Sequence, residues 1–363
     1  MCEESYKIKH KCVCNTLKML DFDAFLFVSE VNRFWISGVK TSEGLCLVTK
    51  KSTYLIVDSR YYNYCKNIKF PKEINLVKPS STTNLNVLNK LIKQLKIKTL
   101  ILENDYLTLK QSKSIANALK GCKFISIDTD FLRIVKTPEE IKLMQKSADI
   151  IVEIINKTRK WLKPGVSELD TAKYIKKLIL DSRAASESFP TIVCFGKNTA
   201  NPHHIPSDTK LKNNQMVLID AGCVYKGYCS DITRTFFIGN KKPSKDLQDM
   251  YNLVYNANKL GLESVHALMT GKELDNICRR YIAKNKKWGK LFLHSLGHGV
   301  GIQIHELPYC SPIYNGQLFA NSVITIEPGV YDSNLGGIRV EDTVVVTKNG
   351  CISLTNKASK DFI

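Results

Sequence analysis

Two acidic stretches decide the architecture of this chain. They are residues 216–237, MVLIDAGCVYKGYCSDITRTFF, and residues 323–345, VITIEPGVYDSNLGGIRVEDTVV. Each begins with an aliphatic run typical of a buried strand, passes through turn residues and returns as a second run, which predicts a β-hairpin. Each hairpin carries one acidic residue near the end of its first strand and another in its second half.

In the first stretch the acidic pair is Asp220 and Asp231. A turn about Tyr225 and Lys226 would make the two carboxylates direct cross-strand neighbours. Like charges in that arrangement destabilise a sheet, so a purely structural role for the pair is hard to justify. A cation between the two carboxylates would remove the conflict.

The second stretch repeats the pattern with Glu327 and Glu341, which are equidistant from Asn334 in the middle of a turn sequence. These two carboxylates are again expected to face each other. Two acidic hairpins from two similar halves of a domain would place four carboxylates around one site, and the sequence therefore predicts a metal centre.

Histidine supplies the fifth candidate ligand. His298 lies in the glycine-rich segment HSLGHGVG, residues 294–301, where glycine lets the backbone approach a ligand closely. Four carboxylates and one imidazole suit two divalent ions such as Mn²⁺, Co²⁺, Fe²⁺ or Zn²⁺, and they do not suit a structural zinc that prefers thiolates. Two such ions about 3.5–4 Å apart activate water at neutral pH, so hydrolysis is the predicted reaction.

The chain is predicted to form two domains, residues 1–130 and 131–363. The first domain is a small α/β unit. The evidence for its strands is a series of β-branched runs at 24–28, 44–48, 53–57 and 99–102. The evidence for its helices is the helical patterns at 88–95 and 110–119.

In the second domain the order helix, helix, hairpin occurs twice, which predicts an α+β fold with a pseudo-twofold repeat. Thr137 followed by Pro138 predicts the start of its first helix. Similar helix starts follow Gly165 and Gly271, and a long helix is expected to begin near Ser244.

Composition excludes several classes of protein. Hydrophobic residues make up 44% of the 363 residues and no apolar run is long enough for a membrane span. The net charge is +19, but only nine of the 53 basic residues are arginine and the lysines are scattered, which argues against a nucleic-acid partner. Twelve cysteines in a chain without a secretory segment predict free thiols and a cytoplasmic protein.

The motifs VLIDAG, SDITRTF, HSLGHGVG, TIEPGVY and GGIRVED resemble those of the pita-bread metallopeptidases, in the Xaa-Pro aminopeptidase and prolidase branch. The resemblance covers residues 138–347. Residues 34–38, FWISG, and 57–61, VDSRY, resemble the creatinase-type N-terminal domain more loosely. The resemblance implies a creatinase-like α/β domain followed by a pita-bread catalytic domain.

The resemblance also implies roles for the metal ligands. Asp220 would bind one ion, His298 and Glu327 would bind the other, and Asp231 and Glu341 would bridge both. Manganese is the implied metal, with cobalt, zinc or iron as alternatives.

Further roles follow from the same resemblance. Glu327 would act as the general base, His305 would contact the substrate at the scissile bond, and His203 would stabilise the tetrahedral intermediate. Arg339 would support a ligand carboxylate. Two positions depart from the family: His204 stands where a small residue is common, and is expected to point to solvent, and Tyr309 stands where small prolidases often carry an arginine.

These features predict a cytoplasmic Xaa-Pro aminopeptidase that acts on peptides with proline at the second position, as a homodimer with no membrane partner. An Xaa-Pro dipeptidase with the same residues is the nearest alternative. A catalytically silent pita-bread protein that binds RNA or protein is the alternative of a different class.

Overall fold

The computed structural model describes residues 1–79 and 83–363, and the chain divides into two units. One unit comprises Met1–Arg133 with Thr137–Glu139, and the other comprises Ile134–Lys136 with Glu140–Ile363. Within the described residues, none of the helices combines the length and the apolar character that crossing a bilayer requires.

The first unit is built on a six-stranded sheet with the order β4-β3-β2-β1-β5-β6. Its strands are β1 Ala24–Phe27, β2 Leu45–Thr49, β3 Thr53–Ile56, β4 Ile74–Val77, β5 Thr99–Glu103 and β6 Lys123–Ile127. The four strands predicted from β-branched runs are all present. Strands β1, β2 and β3 are antiparallel neighbours, whereas β4, β5 and β6 each join the sheet in parallel.

Helices surround this sheet. They are α1 Glu3–Met19, α2 Glu30–Ser37, α3 Ser59–Lys66, α4 Asn84–Gln94 and α5 Leu109–Ala118. The predicted α4 and α5 are confirmed, whereas α1 was not predicted. Its buried face contains Tyr6, Val13 and Leu17 as the large apolar side chains, beside a buried lysine, Lys9. Its first turn is capped by the thiol of Cys2, which is not a usual cap residue.

The second unit contains the predicted repeat of helix, helix and hairpin. Its helices are α6 Pro138–Trp161, α7 Glu168–Leu180, α8 Lys245–Ser264 and α9 Gly271–Ala283. The helix start at Pro138 is confirmed. Helices α7 and α9 both begin with a capping box, from Ser167 and from Thr270, which explains why their sequences look alike.

The strands of the second unit form separate sheets with the orders β12-β9-β8, β11-β10-β7, β14-β13-β15-β18-β19 and β16-β17. The first two sheets consist of β7 Ser186–Glu187, β8 Ile192–Phe195, β9 Gln215–Ala221, β10 Cys223–Tyr225, β11 Tyr228–Cys229 and β12 Ile232–Ile238. The others consist of β13 Gly297–Gly299, β14 Glu306–Cys310, β15 Val323–Ile326, β16 Gly329–Asp332, β17 Gly336–Arg339, β18 Asp342–Thr347 and β19 Gly350–Ser353.

The predicted register of the first hairpin is wrong by two residues. Asp220 pairs with Thr233 and not with Asp231. The cause is the turn, because Lys226 and Gly227 both have positive φ, 48° and 88°, and form the two-residue connection that a right-twisted hairpin favours. Asp231 therefore lies outside the ladder, directly before β12.

The register of the second hairpin is as predicted. Gly329 pairs with Arg339 and, beyond the break in the strands, Ile326 pairs with Asp342, so both ladders are centred on Asn334. Glu327 directly follows β15, and Glu341 directly precedes β18. The two glutamates thus occupy the gap between the paired segments.

Candidate metal centre

The structure brings the five predicted metal ligands together. Asp220, Asp231 and Glu341 each contribute one carboxylate oxygen, and these three atoms lie within 4.8 Å of one another. The Nε2 atom of His298 lies 3.3 Å from Oε1 of Glu327 and 3.6 Å from Oδ2 of Asp231. Residues more than 100 positions apart in the sequence therefore form a single cluster.

Glycine on both sides of His298 lets strand β13 reach this cluster. A Cβ atom at Gly297 would lie 2.1 Å from the carbonyl oxygen of Thr325, and one at Gly299 would lie 2.4 Å from that of Leu307. Side chains at either position would push the neighbouring strands apart. The glycines thus serve the close approach of neighbouring strands, whereas the sequence predicted an approach to a ligand.

The ring of His298 is held in the form that binds a metal. Its Nδ1 lies 3.1 Å from the carbonyl oxygen of Gly299, and since a carbonyl only accepts hydrogen bonds, Nδ1 carries the proton. Burial and the neighbouring His305 lower the pKa of His298 to about 3, so the ring is neutral. Its Nε2 lone pair consequently faces two carboxylates, which is unfavourable unless a cation lies between them.

The burial and mutual repulsion of the carboxylates also favour a bound cation. Burial and the repulsion of Glu341 and Asp220 raise the pKa of Asp231 well above its ordinary value. Burial, with repulsion from neighbouring carboxylates, also raises the pKa of Glu341 and raises that of Glu327 to about 7. Oδ1 of Asp220 and Oε1 of Glu341 are buried and, among the described residues, lack a hydrogen-bond partner. This donor set fits divalent ions.

Side chains from each hairpin support a ligand on the other. Nη2 of Arg339, in the second hairpin, donates to Oδ2 of Asp220 at 2.6 Å, so the predicted support by this arginine is confirmed. The hydroxyl of Thr233, in the first hairpin, donates to Oε2 of Glu341 at 2.8 Å. The two supports are themselves joined, because Nε of Arg339 donates to the Thr233 hydroxyl at 3.0 Å.

The cluster lies at the bottom of a cavity of about 580 Å³. His203, His305 and Tyr309 line the same cavity, together with an apolar wall that includes Phe189 and Ile304. The rings of His305 and His298 meet edge to face with their centroids 4.3 Å apart. The structure thus places both histidines expected to act on a substrate beside the predicted metal ligands.

Comparison with known proteins agrees with this geometry. The profile of "Metallopeptidase family M24" matches residues 142–348, which is more than half of the chain. The chain belongs to metallopeptidase family M24. The profile of the "Creatinase/Prolidase N-terminal domain" matches residues 11–135 of this M24 peptidase. The protein is therefore a metal-dependent hydrolase with a creatinase-like domain and a pita-bread catalytic domain, as the motifs implied.

Proteins named Xaa-Pro aminopeptidase and proteins named Xaa-Pro dipeptidase are both similar to this M24 peptidase. A Mycoplasma genitalium protein named "Putative Xaa-Pro aminopeptidase" is 38% identical over 346 residues, which cover 95% of this chain and 96% of the relative. The structure named "Xaa-Pro dipeptidase from Bacillus anthracis" superposes with a TM-score of 0.91 at 32% identity, covering 99% of both chains. The structure of the X-Pro aminopeptidase from Thermotoga maritima superposes with a TM-score of 0.86 at 33% identity, covering 94% of this chain and 97% of that one.

Sequence reasoning missed several side chains of the site in this M24 peptidase. Thr233 and Thr325 are ordinary strand residues by sequence, yet the hydroxyl of Thr325 donates to Glu327 at 3.0 Å and accepts from the backbone amide of His298 at 3.0 Å. Tyr331 accepts from Arg339 at 2.7 Å. A threonine between isoleucines in VITI is the one local signal that could have indicated Thr325.

The expectation that His204 points to solvent is wrong. Its Nε2 lies 2.8 Å from Oε2 of Glu168, a carboxylate whose side chain is completely buried. The imidazole of His204 bonds to Glu168 because helix α7 directs that carboxylate towards the loop that carries His203 and His204. No local pattern predicts this contact, since 36 residues separate the partners.

Proposed function

We propose that this M24 peptidase is an Xaa-Pro aminopeptidase, which removes the N-terminal residue that precedes proline in a peptide. The observation that carries the proposal is the convergence of the five candidate ligands with His203 and His305 in one cavity. The name of the Mycoplasma genitalium relative supports the same activity. The bond to proline resists general aminopeptidases because proline has no N–H and a fixed φ, so a dedicated enzyme is needed.

The proposed roles of the ligands are those that the family resemblance implies. Asp220 would hold one ion, His298 and Glu327 the other, and Asp231 and Glu341 both. When bound, the two ions would supply a water-derived nucleophile at neutral pH and polarise the carbonyl group of the substrate. Glu327 would accept the proton of the attacking water through a carboxylate that Thr325 already orients.

The two cavity histidines would act on the substrate. His305 packs against the candidate ligand His298 and would contact the substrate at the scissile bond. His203 is exposed on the wall of the cavity, where its ring can donate a hydrogen bond to the oxyanion that develops during attack. Neither histidine is proposed as a metal ligand.

Tyr309 supports a preference for peptides longer than two residues. Its side chain is 40% exposed and lines the cavity, in the position where small prolidases often present an arginine to the substrate carboxylate. A tyrosine offers only a hydroxyl, so a free carboxylate directly after proline would lack a charge-assisted partner. That loss corresponds to roughly 1.5–3 kcal/mol, or about ten- to a hundredfold in specificity.

An Xaa-Pro dipeptidase is the second candidate, favoured by the names of relatives such as the Bacillus anthracis structure. A panel of Xaa-Pro dipeptides and Xaa-Pro-Xaa tripeptides, assayed with several metals, separates the two. We expect a higher kcat/KM for the tripeptides, and about tenfold better dipeptide cleavage in Tyr309→Arg. A preference of the wild type for dipeptides would make the dipeptidase reading correct, and no activity on either class would reject both.

The proposal extends to manganese as the metal, a homodimer and a cytoplasmic location. The oxygen-rich donor set supports manganese, the family resemblance supports a homodimer, and the twelve free cysteines support a cytoplasmic location. Elemental analysis of protein purified without added metal, together with the mass in solution by light scattering, tests the first two. Zinc or iron in place of manganese, or a monomer, would correct the respective point.

A further inference from the structure

The loop that carries His203 lacks helices and strands, and the carboxylate of Glu168 holds it in place. Residues 201–209 lie between a 3₁₀ turn at Gly196–Ala200 and strand β9. Glu168, the first residue of helix α7, faces this loop with a fully buried side chain. The backbone amides of Glu168 and Leu169 also donate to the loop, to carbonyl oxygens of Thr209 and Ser207.

Five donors converge on the Glu168 carboxylate. Oε1 accepts from the amide of Phe195 and from Nδ2 of Asn198, both at 2.8 Å. Oε2 accepts from Nε2 of His204 at 2.8 Å and from the amide and hydroxyl of Ser207 at 3.0 and 2.6 Å. Burial alone would raise the pKa of Glu168, but the bonds from Ser207, His204 and Asn198 outweigh it and lower the pKa. The buried group is therefore an ionised anchor.

His204 connects this anchor to His203. The amide of His204 donates to the carbonyl oxygen of Asn201 at 3.2 Å and closes a four-residue turn, with His203 as its third residue. The amide of His203 donates to the side chain of Asn201 at 3.2 Å. Fixing the His204 ring on Glu168 thus fixes the turn that presents His203 to the cavity.

We propose that Glu168 and His204 are a positioning pair that holds His203 at the wall of the cavity. The inference rests on the proposed function, in which His203 stabilises the oxyanion. It gives a purpose to the histidine that stands where a small residue is common in the family. A misplacement of about 1 Å in a group that acts on the transition state costs up to two orders of magnitude in rate, so the pair has a measurable effect.

The test is a cycle of variants assayed on an Xaa-Pro-Xaa peptide with saturating metal. His204→Ala removes the donor to Glu168, and we expect kcat to fall about tenfold while KM and the number of bound metal ions stay near wild type. His204→Gln keeps an amide donor at the same distance from the backbone and should retain most of the rate. His266→Ala, at an exposed histidine outside the cavity, is the matched control and should behave as wild type.

The decisive arm is the double variant. If His204 acts through His203, His204→Ala in a His203→Ala background lowers kcat no further. Losses that multiply in the double variant, or a His204→Gln variant as slow as His204→Ala, would overturn the proposal. Should His203→Ala alone keep wild-type kcat, the proposed role of His203 fails, and with it the effect of the pair on catalysis.

Hydrogen exchange of residues 201–209 separates these failures without an activity assay. The pair predicts faster exchange of these amides in His204→Ala than in His266→Ala, whether or not His203 takes part in catalysis. Equal exchange in the two variants would show that His204 does not anchor the loop.

Discussion

The two acidic hairpins reach the same chemistry with different backbones. In the second hairpin, one register centred on Asn334 runs through both strand pairs and places Glu327 and Glu341 in the gap between them. The first hairpin also keeps one register through both strand pairs, which the turn at Lys226 and Gly227 sets. Its two acidic residues do not lie opposite each other, because Asp220 is inside the ladder, opposite Thr233, and Asp231 is in the gap before β12. Spacing therefore predicts which residues come together better than it predicts how they are paired.

The hairpins also depend on each other. Arg339 of the second supports Asp220 of the first, and Thr233 of the first supports Glu341 of the second. The amide of Glu341 donates to the carbonyl oxygen of Thr233 at 3.2 Å, which joins the two backbones at the same point. Neither hairpin is thus a complete half-site, and the two hairpins jointly build one metal centre.

Asp231→Asn should break the centre most severely, because this residue is proposed to bind both ions. We expect activity to be lost and the metal content to fall. Elemental analysis and the peptide assay measure the two effects, with Asp249→Asn, at an exposed position in α8, as the matched control. Two tightly bound ions and wild-type turnover in Asp231→Asn would remove Asp231 from the site.

Glu327→Gln tests the second hairpin. The amide keeps the shape of the side chain but loses its charge and its ability to accept a proton, so kcat should fall by a factor on the order of 10² or more. The assay is run with saturating metal so that weaker binding is compensated. A variant that keeps most of the wild-type rate under those conditions would show that another group takes the proton.

Arg339→Met removes the support that the second hairpin gives to the first. The substitution leaves Oδ2 of Asp220 without its 2.6 Å partner, and the ion at Asp220 should bind about 10- to 100-fold more weakly. Titration of the metal-free protein with Mn²⁺ should then resolve one weakened and one nearly normal site. Equal weakening of both sites would mean that the arginine supports the whole cluster and not one hairpin.

Thr233→Val removes the support that the first hairpin gives to the second, and the expected loss of metal affinity is smaller. Loss of the hydroxyl bond to Glu341 should weaken metal binding about tenfold, since a bond to a charged group contributes roughly 1.5–3 kcal/mol. Thr158→Val is the matched control, because this buried hydroxyl in α6 donates to the backbone carbonyl of Ile154 at 2.8 Å and not to a ligand or its support. Identical metal affinities for the two variants would argue against a specific role for Thr233.

Local signals were sufficient for much of the fold. Thr137 and Pro138 predicted the start of α6 because cap chemistry is encoded by adjacent residues. Helix α1 escaped prediction because its apolar positions are sparse and its cap is a cysteine. The register of the first hairpin failed for a related reason, since a lysine with positive φ at position 226 has no clear sequence signature.

In the candidate site, residue type and order predicted the five residues that the structure brings together, whereas most of the side chains that bond to them were not predicted. Thr233 and Glu341 are 108 residues apart, and Glu168 and His204 are 36 apart. Threonine, serine and asparagine are common in strands and loops, so only the folded chain shows which of them bond to a ligand. Arg339 was found because it lies two residues from Glu341 in a motif that resembles the family.

A crystal structure with Mn²⁺, with the ions located by anomalous scattering, would show whether the two hairpins jointly bind two ions. We predict two peaks about 3.5–4 Å apart. One should contact Asp220, and the other His298 and Glu327, while both contact Asp231 and Glu341, so that each ion binds residues of both hairpins. A single peak, or a peak bound by the carboxylates of one hairpin alone, would contradict this prediction.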